Sequence, residues 1–312
     1  MTDFSYSVII PVFNEAAVLQ TFFERLCSVS GTISGQGEFI FVNDGSSDES
    51  LALVKKFRET DKRVKIVSFS RNFGHQMAIT AGLDFATGDS VVIIDADLQD
   101  PPELIPKLIE KWQEGFSVVY AERSARLGES FFKRASARIF YRVLRWLTKY
   151  PIPENVGDFR IMDKSVVETL RNIREQHRYM RGLVSWVGFQ QGGVSYVRDP
   201  RYAGETKYPF KKMVKFALDG VTSFSTVPLR MAISLGFFIV MICLAVAIYA
   251  LGARFIFHVT IQGWTSLILV VVFMGGVQLI VLGVLGEYIG RIYEEVKGRP
   301  LYIAEEKIGF DD

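Results

Sequence analysis

Apolar and polar positions follow one another in distinct regimes along this chain. Over residues 1–120 short apolar runs are separated by helical patterns. Ser7–Val12 is a β-rich run, followed by Asn14-Glu15 and a helical pattern through about Ser28. Glu38–Val42 is the next, ending in Asn43-Asp44-Gly45-Ser46-Ser47-Asp48, with helix predicted over Glu49–Thr60. Val64–Phe69 is a third strand, then a loop Ser70–His75 and a helix through Ala86. Ser90–Ile94 is nearly all apolar, as a parallel strand covered on both faces should be. It runs into Asp95-Ala96-Asp97-Leu98-Gln99-Asp100, where Asp100 is placed to cap the next helix with Pro101 at its first position. Strands alternating with helices predict right-handed β-α-β units in an open, mostly parallel α/β sheet. Such sheets bind ligands beyond the carboxyl ends of their strands, where Asp44, Asp95 and Asp97 fall.

The C-terminal regime is different. Met231–Ala253 carries no charge and is bracketed by Arg230 and Arg254; Trp264–Gly286 is again uncharged and ends at Glu287. A helix needs about 20 apolar residues to cross a hydrocarbon core of ~30 Å, so both runs qualify as membrane spans. A pair of buried core helices is the alternative. The short connector Arg254–Gly263 makes the two a hairpin. Lys211, Lys212, Lys215 and Arg230 precede it and Arg291, Lys297 and Arg299 follow it, which places both chain ends and the N-terminal domain in the cytoplasm. Gly275, Gly276, Gly283 and Gly286 would allow close helix contacts.

Between these regimes, Phe131–Lys149 pairs a basic stripe (Arg134, Arg138, Arg142, Arg145, Lys149) with an apolar one (Phe132, Ala135, Ile139, Val143, Leu147). Such a helix can lie in a membrane interface with its basic side toward anionic head groups. An ordinary surface helix with a solvated basic face fits the same pattern. Phe210, Met213, Val214, Ala217 and Leu218 mark a second amphipathic segment. The expected domains are therefore 1–208 catalytic, 209–228 juxtamembrane, 229–290 membrane hairpin and 291–312 tail.

Composition narrows the chemistry. At 312 residues the chain has room for about two domains. Its mean hydropathy of +0.21 is high for a soluble protein, because the apolar residues concentrate at the C-terminus. A net charge of +2, from 36 Lys+Arg against 34 Asp+Glu, argues against nucleic-acid binding through bulk charge. Cys27 and Cys243 lie far apart, which excludes a disulfide framework and a cysteine zinc site. Met1–Phe4 has no basic stretch or small-residue cleavage site, so no signal peptide is expected. Neither G-x-G-x-x-G after the first strand nor G-x-x-x-x-G-K-[ST] occurs, which leaves dinucleotide and P-loop chemistry without support. Carboxylates at strand ends suit a hard divalent cation, which uses one or two of them and completes its shell with substrate phosphates. In extended geometry Asp95, Asp97 and Gln99 would share one face. A plain acidic turn is the other reading of that segment.

Four motifs occur in order, each at a strand end: Pro11-Val-Phe-Asn-Glu15, Val42-Asn-Asp-Gly-Ser-Ser-Asp48, Ser70-Arg-Asn-Phe-Gly74 and Asp95-Ala-Asp-Leu-Gln-Asp-Pro-Pro-Glu103. Together with Asp158–Asp163 and Arg201–Tyr208, the series closely resembles the family 2, GT-A-fold glycosyltransferases of the polyprenyl-phosphate type. Dolichol-phosphate mannosyltransferase and bacterial bactoprenol glucosyl transferase are familiar members of that family, and the paired C-terminal apolar runs resemble the bacterial ones. The resemblance implies a GT-A (Rossmann-like) catalytic domain that moves a hexose from a nucleotide-sugar to a polyprenyl phosphate. It places Pro11, Glu15, Asp44 and Asp95 around the nucleotide-sugar, although Asp44 also reads as a plain turn aspartate before Gly45. It assigns Asp97 and Gln99, with Asp95, to a Mg²⁺ or Mn²⁺ on the diphosphate, and makes Asp158 a candidate catalytic base. Arg123, Arg134, Ser136, Arg201 and Lys207 would bind the lipid phosphate, each with a solvated surface role as the alternative. Glucose from UDP-glucose is the expected donor, with GDP-mannose or a modified UDP-sugar as alternatives. A homo-oligomer is expected on symmetry grounds alone.

A phosphate monoester has a second pKa near 6 and is largely dianionic at neutral pH, so it needs little deprotonation before attack. Single displacement with inversion is therefore expected. A processive polymer synthase would need a larger membrane channel and a Q-x-x-R-W motif. Gln176-His177-Arg178-Tyr179 is one residue short of that motif and has Tyr in place of Trp. A non-catalytic membrane scaffold would have no use for Asp44, Asp97 and Gln99 together at strand ends.

Overall fold

A computed structural model describes residues 4–125, 156–197, 227–255 and 263–310. They fall into two compact units, Met1–Ala217 with Pro300–Asp312, and Leu218–Arg299.

The first unit is built on one sheet. Its strands in chain order are β1 (Ser5–Val12), β2 (Gln36–Asn43), β3 (Val64–Phe69), β4 (Ser90–Ile93), β5 (Val118–Ala125), β6 (Val156–Asp163), β7 (Gln191–Val197) and β8 (Ala304–Ile308). Their spatial order is β7-β5-β6-β4-β1-β2-β3-β8. The β3-β2-β1-β4 core is parallel, as the alternation predicts. β6 runs antiparallel to both β4 and β5, and β8 antiparallel to β3. The arrangement is the mixed α/β sheet of the GT-A type. The order reverses between β1 and β4, so the crevice beyond their carboxyl ends is the natural ligand site of the sheet.

Helices cover the parallel core. α1 (Ala16–Ser30) buries Val18, Leu19, Phe22, Phe23 and Leu26 at helical spacing. Phe23 stacks on Phe57 of α2 (Ser50–Thr60), with ring centroids 4.2 Å apart and 8° between planes. α3 (His75–Phe85) lies on β1, and Gly82 makes that approach possible, because a Cβ there would collide with Ile9 Cγ2. The residues at the end of the chain are more than a tail: 304–308 form β8, which pairs beside β3 at the edge of the sheet.

The second unit contains the helices Val227–Phe255 and Trp264–Val296. They extend past the uncharged runs that sequence marks out. Within the second, Phe273–Val296 spans 24 residues and holds an 18-residue stretch of mean hydropathy 1.5, long and apolar enough to cross a membrane. In the first, Ala232–Val246 is a shorter apolar stretch. Large side chains such as Phe237, Phe238, Leu279 and Ile280 are exposed on them. The expected interfacial helix over 131–149, most of the segment 209–228 and the connector 256–262 lie outside the described residues.

The α3–β1 packing generates a direct check. Gly82→Ala should overpack that contact and cost about 1–3 kcal/mol. This would be seen as a thermal midpoint lowered by roughly 2–4 °C per kcal/mol; an unchanged midpoint would contradict the packing.

Candidate active site

The loops after β1 and β2 lock together through their own polar side chains. Asn14 Oδ1 accepts from Ser47 N at 2.8 Å, and Ser46 Oγ accepts from Asn14 N at 3.0 Å. Ser50 Oγ accepts from Glu15 N, and Asp48 accepts from Ala16 N, which satisfies free N–H groups at the start of α1. Asn43 Nδ2 donates to Ser68 Oγ, tying β2 to β3. Most of the Asn43–Asp48 motif is thus structural. Pro11 is buried at the end of β1, and Glu15 is half-buried at the start of α1.

Asp44 is the member of that motif aimed at the next loop. Its carboxylate accepts from Asn72 Nδ2 at 2.9 Å and from the backbone N–H of Phe73 (2.6 Å) and Gly74 (3.0 Å). Burial raises its pKa, against the pull of those two amides and of His75 and Arg71. Gly45 lets the two loops meet: its φ is +66°, and a Cβ there would come within 2.5 Å of the Arg71 carbonyl carbon.

Asp95, Asp97 and Gln99 follow β4, but not as an extended strand. Leu98 has φ +59°, in the left-handed region that costs a branched side chain roughly 1–2 kcal/mol, and Gln99 N–H donates back to Asp97 Oδ1 at 3.1 Å. The period-two placement of the three side chains therefore does not apply; a tight turn sets them instead. Asp100 does not cap the following helix either. Pro101 occupies that position without a side-chain cap, and Asp100 is buried, accepting from the Tyr196 hydroxyl. Asn14, with φ +55°, makes a second left-handed turn at the same end of the sheet. Strain of this kind persists where a site over-determines it.

A cation fits this turn. Asp95 Oδ1 is buried and accepts no hydrogen bond, so its charge is met only through space, by His75 at 3.6 Å, which leaves the oxygen able to take a cation. Burial first, then repulsion from Asp158, Asp100 and Asp97, pushes the Asp95 pKa up to about 6, although His75 opposes the shift. Among the described residues no three His, Cys, Asp or Glu side chains converge into a complete metal cage. Such a cage is unnecessary where one or two carboxylates share the ion with substrate phosphates.

Asp158 arrives by strand register. β6 pairs Arg160 with Ile93 of β4, and continuing that antiparallel register by two residues sets Asp158 opposite Asp95. Asp158 is 6% exposed, and its charge is met from two sides. Arg181 grips it with Nε to Oδ1 at 2.9 Å and Nη2 to Oδ2 at 3.3 Å. His75 Nε2 lies 3.3 Å from Oδ2 and 3.6 Å from Asp95 Oδ1, bridging the two aspartates. Burial disfavours the Asp158 carboxylate, but Arg181 and His75 outweigh it and hold its pKa well below the ordinary range. Burial likewise disfavours a charged His75, yet Asp95 and Asp158 raise its pKa to about 9. Gln76 Oε1 accepts from Met180 N at 2.8 Å, which docks the helix Met180–Trp186 on α3 and so sets Arg181 and His75 around the carboxylate. Arg160 is buried alongside, donating to the Gly157 and Asp158 carbonyls; burial lowers its pKa to about 10, so it stays charged at neutral pH.

Sequence reasoning missed His75, Arg181 and Arg160. His75 closes the Ser70–Gly74 motif and Arg160 sits inside Asp158-Phe159-Arg160, so their neighbours carried a signal. Arg181 had none, because it reaches Asp158 only through packing of helices distant in sequence. Arg123 is 3.8 Å from Asp100 and 3.3 Å from the Tyr196 hydroxyl, and Gly157 leaves room for its guanidinium. Burial and the Asp100 charge push the Tyr196 pKa up to about 12. Arg134, Ser136, Arg201 and Lys207 lie outside the described residues.

Residues 7–171 match the family model "Glycosyl transferase family 2". An uncharacterized glycosyltransferase of Bacillus subtilis, YkcC, is 49% identical over 98% of this chain and 95% of its own. The SfII prophage-derived bactoprenol glucosyl transferase of Shigella flexneri is 43% identical over 96% of this chain and 97% of its own. A prophage bactoprenol glucosyl transferase homolog of Escherichia coli is 42% identical over 95% of this chain and 97% of its own.

The charge cluster has a pH signature. His75 titrates higher folded than unfolded, so its contribution to stability is complete below about 6.5 and is lost as pH rises through about 9. In metal-free protein the thermal midpoint should fall across that window, and the fall should shrink in His75→Gln. A slope that His75→Gln leaves intact would contradict the assignment.

Proposed function

This chain belongs to glycosyl transferase family 2, and from that membership we propose that it transfers glucose from UDP-glucose to a polyprenyl phosphate, undecaprenyl phosphate in a bacterial membrane. Support comes from the bactoprenol glucosyl transferases of similar sequence, which span nearly the whole chain. The observation that carries the reading is the Asp95 carboxylate at the switch point of the sheet, beside Asp97, whose buried Oδ1 accepts no hydrogen bond and has His75 Nε2 3.6 Å away.

The nucleotide would sit over the ends of β1 and β2, against Pro11, Glu15 and Asp44. A Mg²⁺ or Mn²⁺ held by Asp95 and Asp97, with Gln99 beside them, would neutralise charge developing on the departing diphosphate. The acceptor phosphate, already dianionic, attacks the anomeric carbon as the nucleoside diphosphate leaves, and the configuration inverts. Asp158 acts as a fixed negative charge that orients Arg181 and His75 and favours positive charge on the sugar. Its two oxygens are committed to Arg181 and His75, and its low pKa makes it a poor proton acceptor. Arg134, Ser136, Arg201 and Lys207, with Arg123, would receive the lipid phosphate as charge-assisted donors. The apolar helices would form a membrane hairpin that keeps both chain ends and the catalytic unit on the cytoplasmic face, where the basic flanks lie.

The test is transfer of labelled sugar to undecaprenyl phosphate by purified protein in detergent. UDP-glucose, UDP-galactose, UDP-N-acetylglucosamine and GDP-mannose would be offered in turn, with Mg²⁺, Mn²⁺ or chelator. Lipid-extractable label from UDP-glucose is expected. It should be lost in chelator and fall at least about a hundredfold in Asp97→Ala, the loss of a few kcal/mol of transition-state stabilisation. Label from another donor would replace the sugar assignment, and label that survives chelator and Asp97→Ala would overturn the metal-assisted reading.

A further inference from the structure

The chain returns to the first unit after its last helix, and one part of it, Leu301–Ile303, lies against the start of the Ser70–Gly74 loop. Leu301 is buried, and the Ile303 carbonyl accepts from Ser70 N at 3.1 Å, at the first residue of the Ser70–Gly74 loop. The Tyr302 ring stacks on Phe69, the last residue of β3, with centroids 5.0 Å apart and 20° between planes. Phe69 in turn meets Phe73 edge-on at 5.6 Å. Phe73 donates its N–H to Asp44. The Tyr302 hydroxyl donates to Asp84 Oδ2 at 2.8 Å, near the end of α3, the helix that begins at His75. One side chain therefore holds the β3–loop–α3 unit at both ends.

We propose that Tyr302 of the C-terminal tail is a positioning residue for the donor pocket, setting the Ser70–Gly74 loop against Asp44 before the nucleotide arrives. This rests on the reading of Asp44 and that loop as the nucleotide end of the site. Covering the exposed edge of β3 would be the simpler use of β8. That use is met by the backbone pairing of Ile66–Phe69 with Ala304–Ile308 and by the Lys55–Glu306 ion pair. Tyr302 lies beyond that ladder, and its ring is directed at the strand end that leads into the loop. A loop fixed in advance spares the donor the cost of ordering it on binding.

The experiment uses the full chain in detergent, with UDP affinity by calorimetry and steady-state kinetics for donor and acceptor. Tyr302→Leu keeps bulk and loses the stack. It should raise the UDP Kd and the donor KM by about threefold to tenfold while kcat and the acceptor KM hold. Tyr302→Phe keeps the ring on Phe69 and should restore wild-type donor affinity. Lys55→Ala loosens the same tail away from the loop and should leave donor affinity unchanged. Donor affinity that is untouched in Tyr302→Leu but weakened in Asp44→Asn would overturn the role of the tail and keep the pocket. If neither variant weakens UDP, the pocket reading falls with it. Equal losses for donor and acceptor, or equal effects of Lys55→Ala and Tyr302→Leu, would mark the tail as a structural edge only.

Discussion

Taking a carboxylate out of water is costly unless charge meets it, and the buried Asp158 is met by Arg181 across both oxygens and by His75 on one. The rest of the site is arranged by that requirement. Arg181 can reach Asp158 because Gln76 docks its helix on α3, and His75 can reach it because α3 starts where the Asp44-bound loop ends. His75 then spans to Asp95 and brings the end of β4 into the same cluster. Arg160 adds a third, more distant cation, its Nη2 3.9 Å from Asp158 Oδ1, so the elements that converge here are held by one shared charge.

The same cluster separates the roles of the carboxylates. Asp158 is held as a stable anion, whereas Asp95 is crowded by other negative charges and has an oxygen that accepts no hydrogen bond. The first is suited to a permanent electrostatic role, the second to receiving a cation. Left-handed turns at Asn14 and Leu98 bring both strand ends to this crevice at some conformational cost. Asp158 has both oxygens engaged by Arg181 and His75, which suits direct attack by a phosphate rather than by that carboxylate.

The parallel core was legible because β1–β4 are short apolar runs punctuated by polar loops, and topology alone then put Asp44, Asp95 and Asp97 at strand ends. β5–β8 were not legible. β6 and β7 carry Asp, Arg, Gly and Gln within their strands, and β8, Ala304–Ile308, has three charged residues of five and pairs with a strand more than two hundred residues away in sequence. Local propensity has little to say where long-range pairing decides. Asp100 illustrates the same limit: the Asp-Pro-Pro sequence reads as a helix cap, but a buried hydroxyl from Tyr196 claims the carboxylate first. The Asp95–Gln99 segment was read as extended because nothing local announces a leucine in the left-handed region. His75 and Arg181 escaped notice for a related reason, since each acquires meaning only once β6 has delivered Asp158.

The most direct measurement is the anomeric configuration of the lipid-linked sugar, read by nuclear magnetic resonance on the purified product of an α-linked donor. Single displacement at a site whose carboxylates are committed to cations gives a β-linked glucosyl phosphate. An α-linked product would contradict single displacement with inversion.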